Sequence, residues 1–218
     1  MNTYKVQKVE AFTIHSDWDK APWNKIEAIS LNYHMGEKPE HFPAVQSKVA
    51  YDEAGIYVIF KVDDQYIRAV RTKHQEAVCN DSCVEFFFST AKHSEDGYFN
   101  LELNCGGTML LHHQIEPRKN SVAIQEEDLD KIAVATSMPK IVFPEITEET
   151  TWTAAYHLPF EVLQKYQDLE KPTKGTVWRG NFYKCADESS HPHWLTWAKV
   201  ENPKPDFHLP QFFGMLEF

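Results

Sequence analysis

The chain has 218 residues and a formal net charge of −10, with 42% hydrophobic and 25% charged residues. That composition is typical of a globular protein, and the length suits one all-β domain over residues 1–218. The negative charge and the absence of a basic stripe argue against a nucleic-acid partner, and no 18-residue apolar run predicts a membrane span. The N-terminus has no apolar leader, so an extracellular or periplasmic location is expected if one was removed, and the oligomeric state stays open.

Short strand-like runs separated by turn residues dominate the sequence. In chain order, the predicted strands are Lys48–Asp52, Ile56–Val62, Ser82–Ser89, Tyr98–Asn104, Thr108–Gln114, Ile132–Ser137, Thr151–Leu158, Val177–Lys184, Trp194–Lys199 and Gly214–Phe218. About ten short strands at this spacing predict an antiparallel β-sandwich of jelly-roll type, with one or two short helices at most. The best helix candidate is Phe160–Tyr166, which follows a proline.

Turns and loops connect these strands. Glu53–Gly55 and Cys105–Thr108 are predicted as tight hairpin connections, because glycine can adopt a positive φ. The polar and acidic stretch Pro117–Asp130 is expected to be a surface loop, and Pro139–Glu149 a second one.

Two of the strands present a polar face. Successive side chains of a strand point to opposite faces, so Phe99, Leu101 and Leu103 share one face of Tyr98–Asn104 while Glu102 and Asn104 share the other. In Ser82–Ser89, the corresponding alternation places Glu85 opposite the apolar side. A sheet face with carboxylates and amides is a suitable surface for a polar, ring-shaped ligand.

The strand Val177–Lys184 adds further polar groups. The candidate carbohydrate-binding residues are Glu85, Glu102, Asn104, Arg179, Asn181, Tyr183 and Trp197. Charged groups form strong hydrogen bonds with hydroxyls, and an aromatic ring covers the apolar face of a sugar. We expect Arg179 to pair with Glu85 or Glu102 when no ligand is bound, and Trp194 or Trp197 to supply the ring. The alternative is a self-satisfied polar network on a solvated or covered sheet face.

The sequence has only weak indications of a metal site and none of a disulfide. The four cysteines form no C-x-x-C pair and are expected to be free buried thiols. Asp63 and Asp64 follow a predicted strand and are candidate oxygen ligands for a hard cation. The alternative is a turn in which both side chains accept hydrogen bonds from backbone N–H groups.

Seven segments, taken in order, resemble family 9 of the carbohydrate-binding modules, in its stand-alone branch. They are Trp18–Trp23, Gly55–Asp64, Asp81–Phe87, Tyr98–Asn104, Trp152–Pro159, Trp178–Tyr183 and Phe207–Gly214. The resemblance implies a β-sandwich that binds poly- or oligosaccharides, at a chain end, without catalysis and in support of glycan degradation. It also implies structural calcium in some members.

The same resemblance implies a sugar ring held between two tryptophans, with charged and amide groups on its hydroxyls. One of these tryptophans stands six residues before the glutamate that matches Glu85. In this chain that position is Cys79, so one half of the aromatic sandwich is missing.

Two other functions are compatible with the sequence. A glycoside hydrolase, or a related carbohydrate-active enzyme, would use Glu85 and Glu102 as its carboxylate pair, which needs a separation of about 5–9.5 Å. A protein-interaction sandwich would have no sugar site, and would be favoured if the chain's own loops covered Arg179 and Glu85.

Overall fold

The structure is a computed structural model that describes residues 2–90 and 97–218. Within these ranges it has seventeen strands in three sheets, and two short helices. The strands are β1 (Thr3–Lys5), β2 (Gln7–Lys8), β3 (Ile29–Ser30), β4 (Tyr33–His34), β5 (Ala44–Tyr51), β6 (Gly55–Asp64), β7 (Ile67–Ala69), β8 (Cys83–Ser89), β9 (Tyr98–Asn104), β10 (Met109–Glu116), β11 (Lys119–Ala123), β12 (Ala133–Thr136), β13 (Val142–Ile146), β14 (Thr150–Pro159), β15 (Val177–Cys185), β16 (Trp194–Thr196) and β17 (Gly214–Glu217). The helices are α1 (Glu126–Leu129) and α2 (Phe160–Gln164).

Two large sheets form the sandwich. In sheet A the strand order is β1-β17-β15-β8-β9-β10-β11, with β16 beside the end of β15 and β4 beside β16. In sheet B the order is β12-β14-β6-β5-β2, with β3 also on β5. Strands β7 and β13 form a separate two-stranded sheet. The pairing is antiparallel except at β1–β17 and β2–β5, which are parallel.

The core lies between the facing sides of sheets A and B. Phe86 of β8 stacks on Phe182 of β15 with ring centroids 4.5 Å apart, and Phe60 of β6 contacts Phe182 from the opposite sheet. Trp178, which alternates with Arg179 along β15, is 1% exposed in the same cluster. The period of two along each strand therefore produces the apolar layer that holds the sheets together.

The outer face of sheet A is also covered, which alternation alone did not predict. Phe87 and Tyr183 of this face pack against Val200, Phe207 and Phe213, which belong to the long connection between β16 and β17. The outer face of sheet B is covered in a similar way by the N-terminal segment, where Trp23 is fully buried. Only part of the polar face of sheet A is left accessible, and that part forms a cleft.

The prediction of an all-β sandwich is confirmed, and all ten predicted strands are present, although β5 begins at Ala44 rather than Lys48 and β16 ends at Thr196 rather than Lys199. The two predicted loops are wrong in part. Pro117–Asp130 contains β11 and α1, and Pro139–Glu149 contains β13. Every residue of β11 is exposed, and β13 includes Pro144, so neither strand has the alternating apolar pattern that marks a buried strand.

Both predicted hairpins exist, but the role of glycine differs between them. Gly107, between β9 and β10, has a φ of +88°, as expected. Gly55 starts β6 without a positive φ, and the turn before it is held by Asp52, whose Oδ1 accepts hydrogen bonds from the amides of residues 54 and 55. Glycine is needed there because a Cβ atom would lie 2.4 Å from the carbonyl oxygen of Leu158.

The helices in the described part of the chain are too short and too polar to cross a membrane.

Candidate functional site

Two carboxyl groups stand side by side on the outer face of sheet A. Glu85 of β8 and Glu102 of β9 are directly opposite each other in the antiparallel register, and Tyr183 of β15 lies opposite Glu85 on the other side. Directly opposed residues have Cβ atoms about 4.5–5.5 Å apart. The register therefore brings the two glutamates together, as their shared face in the sequence predicted.

The glutamates form part of the floor of a cleft with a volume of about 120 Å³. Its lining residues are Cys79, Glu85, Phe87, Glu102, Arg118, Cys185, Asp187, Trp194, Pro205, Asp206, Phe207 and His208. The cleft thus combines carboxylates, a guanidinium, an imidazole and aromatic rings, which are the groups that bind hydroxyls and apolar ring faces.

Both carboxyl groups are buried and hold their protons more tightly than usual. Burial, followed by the nearby Glu102 charge, raises the pKa of Glu85 well above its ordinary value. Burial raises the pKa of Glu102 to about 7, opposed by a hydrogen bond from Asn100 Nδ2 to Glu102 Oε1 of 3.1 Å. Two adjacent buried carboxyls cannot both ionise easily near neutral pH, so the pair offers hydrogen-bond donors as well as acceptors to a ligand.

Trp194 and Asp187 form one wall of the cleft. Trp194 Nε1 donates a hydrogen bond of 2.8 Å to Asp187 Oδ1, which fixes the indole ring. Burial raises the pKa of Asp187 above its ordinary value. Cys79 also lines the cleft and is half-buried. Trp194 is thus the tryptophan that lines the cleft, and Cys79 lines it at the position where the resemblance expects a second tryptophan.

The opposite wall is held by a hydrogen-bonded chain. Gln114 Nε2 donates to Asn100 Oδ1 at 2.8 Å, and Tyr98 Oη lies 2.8 Å from Nδ1 of His208. Burial, and then the charge of Arg118, lowers the pKa of His208 to about 4. His208 is therefore neutral at physiological pH, and the chain from Glu102 to His208 is fixed before any ligand binds.

Three predicted site residues lie on the correct face, but their polar groups are already bonded within the protein. Asn104 Nδ2 donates to the carbonyl of Arg71 and to Asp81 Oδ2, and Asn181 forms hydrogen bonds with both backbone groups of Ala198. The hydroxyl of Tyr183 donates to the carbonyl of Phe207, and their rings stack with centroids 4.1 Å apart. The covering segment satisfies Asn181 and Tyr183, whereas Arg71 and Asp81 satisfy Asn104, and none of the three lines the cleft.

Arg179 and Trp197 lie away from the cleft. Arg179 is opposite Ser89, four residues along β15 from Tyr183, or about 13 Å. Its guanidinium donates to the carbonyl of Phe213, so the expected ion pair with Glu85 or Glu102 does not form. Trp197 is 5% exposed and packs against Phe182 in the core.

The calcium candidates do not fit a hard cation. Asp64 is fully enclosed, with Lys184 Nζ at 3.4 Å, His41 Nε2 at 2.7 Å and Trp152 Nε1 at 3.0 Å. Burial alone would raise the pKa of Asp64, but these partners lower it below its ordinary value. The Asp63 carboxylate is exposed and accepts a hydrogen bond from Thr151. Lys184 already supplies the positive charge at Asp64, so no calcium is assigned here.

Several lining residues were missed from the sequence. Arg118, Asp206, Phe207 and His208 come from loops that carry no strand pattern, and only the folded chain brings them to β9. The stretch Phe207–Gly214 was singled out for its resemblance, without a role for its residues. Cys185 could have been found by extending the alternation of Asn181 and Tyr183 by one step.

The family model described as carbohydrate-binding family 9 matches residues 12–218. A candidate carbohydrate-binding protein from Bacteroides uniformis has a crystal structure that superposes with a TM-score of 0.87 at 28% identity, covering 99% of this chain and 98% of that one.

Two structures of a family 9 module from Caldicellulosiruptor kristjanssonii show the same fold. The glucose complex has a TM-score of 0.65 at 12% identity, covering 99% of this chain and 95% of that chain. The cellotriose complex has a TM-score of 0.65 at 13% identity, covering 99% and 93%. No curated protein matches the chain. Because the family model covers almost the whole sequence, the chain belongs to carbohydrate-binding family 9, and its function is non-catalytic carbohydrate binding.

Proposed function

We propose that the cleft over Glu85 and Glu102 binds one terminal sugar ring of an oligo- or polysaccharide. The observation that carries this proposal is the direct pairing of the two glutamates across β8 and β9, beneath the accessible ring of Trp194. Carboxyl groups and an aromatic plane are the two kinds of contact that a pyranose requires.

The charge state of the pair suits a neutral polyol. Sugar hydroxyls both donate and accept hydrogen bonds, and a pair of carboxyls with raised pKa values presents a protonated donor beside an ionised acceptor. A ligand that lacked one hydroxyl would leave a buried carboxyl without its partner, at a cost of about 1–3 kcal/mol. The floor of the cleft therefore supports selectivity among sugars.

The size of the cleft favours a chain end. Its volume of about 120 Å³ is well below the 300–1,000 Å³ of pockets that enclose drug-sized ligands. Pro205 and Phe207 of the covering segment form one border, so we expect a single ring to enter while the rest of the glycan stays in solvent. The glucose and cellotriose complexes of the C. kristjanssonii module support this class of ligand.

Calorimetry with mono- and oligosaccharides, including glucose and cellotriose, tests the proposal. Trp194→Ala should weaken binding about tenfold, because an aromatic face against a sugar contributes about 1–2 kcal/mol. Glu102→Gln should also weaken binding, since it removes the carboxylate that accepts from a sugar hydroxyl. Trp18→Ala is the matched control, because Trp18 lies beside Lys48 on the outer side of sheet B. Absence of binding at millimolar sugar, or equal affinity in all three variants, would refute the site.

The chain end has its own test. If the reducing-end ring enters the cleft, oligosaccharides whose reducing end has been converted to an alditol should lose affinity. If the non-reducing ring enters, blocking the non-reducing end should cause the loss instead. If both blocked forms bind as tightly as the unmodified oligosaccharide, the cleft does not bind a chain end.

A glycoside hydrolase would also need two carboxyl groups on one face, as Glu85 and Glu102 are. An assay for sugar release on a broad glycan panel distinguishes the two functions. We expect no release from the wild-type protein, and release that Glu85→Gln abolishes would show catalysis.

A further inference from the structure

Two thiols lie directly beside the Glu85 carboxylate. Cys185 of β15 is opposite Cys83 of β8, and Glu85 is two residues along β8 on the same face. One ligand atom from each of these three side chains lies within 4.8 Å of the other two, and Cys185 Sγ is 3.1 Å from Glu85 Oε1. The exact two-residue period of the strands thus brings three metal-ligating groups to one point.

The three groups are buried, and the Cys185 thiol donates a hydrogen bond to the Glu85 carboxyl group. Cys83, Glu85 and Cys185 are at most 2% exposed, and neither cysteine forms a disulfide. Among the described residues, neither Glu85 nor Glu102 forms an ion pair; Lys184 and Arg118 act on them only from a distance, and Asp187 adds a third acid to the same region. The cluster therefore concentrates acidic groups in a low-dielectric place without a paired cation, which is unfavourable for their charged forms.

We propose that Cys83, Glu85 and Cys185 form a binding site for a zinc ion at the base of the cleft. Two sulfur atoms and one carboxylate oxygen are donors that zinc accepts, at about 2.3 Å for sulfur and about 2.0–2.2 Å for oxygen. A tetrahedral ion with these bonds holds its donors roughly 3.5–3.8 Å apart. The present separations need only small side-chain movements to reach that geometry.

The ion reaches the site through the cleft, because Glu85 and Cys185 line it while Cys83 lies behind them. Binding replaces the two thiol S–H bonds by metal–sulfur bonds, and these protons, together with any on Glu85, pass to solvent. The positive charge of the bound dication balances the two thiolates that form, so only the negative charge of the Glu85 carboxylate is left uncompensated among the three donors. Three protein donors leave one of four positions free on the cleft side.

Cobalt titration of the full-length chain, stripped of metal and kept reduced with a phosphine, tests this site. The wild-type protein should bind one equivalent of Co²⁺ with a thiolate-to-cobalt charge-transfer band in the near ultraviolet. Zn²⁺ should displace the cobalt and abolish the band. These readouts do not involve sugar, so they can fail or succeed independently of the proposed carbohydrate site.

Variants assign the ligands. Cys185→Ser and Glu85→Gln should each weaken metal binding by more than about 100-fold, beyond the 10–100-fold typical of outer partners of a metal site. Cys105→Ser is the matched control, because Cys105 is also a free buried thiol but packs in the core between the sheets. If Cys185→Ser is unstable, Glu85→Gln decides, since its amide preserves the shape of the side chain. No charge-transfer band in the wild-type protein, or an unchanged band in both variants, would overturn the proposal.

Discussion

Replacing Glu102 by glutamine should make the protein more stable at alkaline pH. The substitution keeps the volume of the side chain and the acceptor that Asn100 Nδ2 uses, but it removes the ionisable group. It also removes the charge that contributes to the raised pKa of Glu85. The change therefore isolates the cost of holding a carboxylate in the buried pair.

The magnitude follows from the pKa of Glu102. In the folded protein burial raises that pKa from 4.5 to about 7, whereas the unfolded chain titrates near 4.5. At pH 4 the carboxyl is mostly protonated in both the folded and the unfolded state, so it has little effect on the free energy of unfolding. As the pH rises, the unfolded state loses its proton first, so stability is lost progressively until the pH passes about 7. Each pKa unit corresponds to about 1.4 kcal/mol, so the full cost is about 3 kcal/mol.

Urea unfolding of the wild-type protein and Glu102→Gln, in buffers with a metal chelator, measures this effect. The variant should be more stable by about 3 kcal/mol at pH 8 and by less than about 1 kcal/mol at pH 5. Glu10→Gln is the control, because its exposed side chain should leave the stability unchanged at both pH values. An equal gain in stability from Glu102→Gln at pH 5 and pH 8 would show that the pKa of Glu102 is not raised in the folded protein.

Two other substitutions test the scaffold. Lys184→Met should destabilise the protein by about 3–5 kcal/mol in urea unfolding, since it leaves the Asp64 carboxylate buried without its ammonium partner, and the added Asp64→Asn change should recover part of the loss. A loss below about 1 kcal/mol would mean that this pair contributes little. Gly55→Ala should cost more than about 2 kcal/mol, because the new Cβ atom meets the Leu158 carbonyl. Gly175→Ala, with a φ of +92° but open space, should cost only about 1 kcal/mol. Similar losses for both would contradict the steric argument.

Alternation correctly predicted the faces of the strands on which Glu85 and Glu102 lie, because the period of two along a strand is fixed by backbone geometry. The face of each glutamate follows directly from that rule, whereas the register that sets Glu85 opposite Glu102 is known only from the folded structure. The same rule also placed Tyr183 on the correct face. These predictions succeeded because each depends on a single strand and its immediate neighbour.

The covering of that face could not be predicted in the same way. Phe207 and Phe213 follow no strand or helix period, and nothing local indicates that they fold back over Tyr183. For this reason the sequence suggested an open polar sheet where the structure has a narrow cleft. Arg179 was misplaced for a related reason, since a shared face does not show how far along the strand two side chains stand from each other.

The place of β15 in sheet A has a consequence for the order in which the protein is made. Every strand of sheet B is complete once Pro159 has been synthesised, whereas the centre of sheet A waits for β15, which inserts between β8 and β17. Cys185, Trp194 and His208 follow later still. Phe86 and Phe88 therefore lack their stacking partners Phe182 and Trp178 until β15 has been made, and apolar surface that is exposed in this way during synthesis favours aggregation.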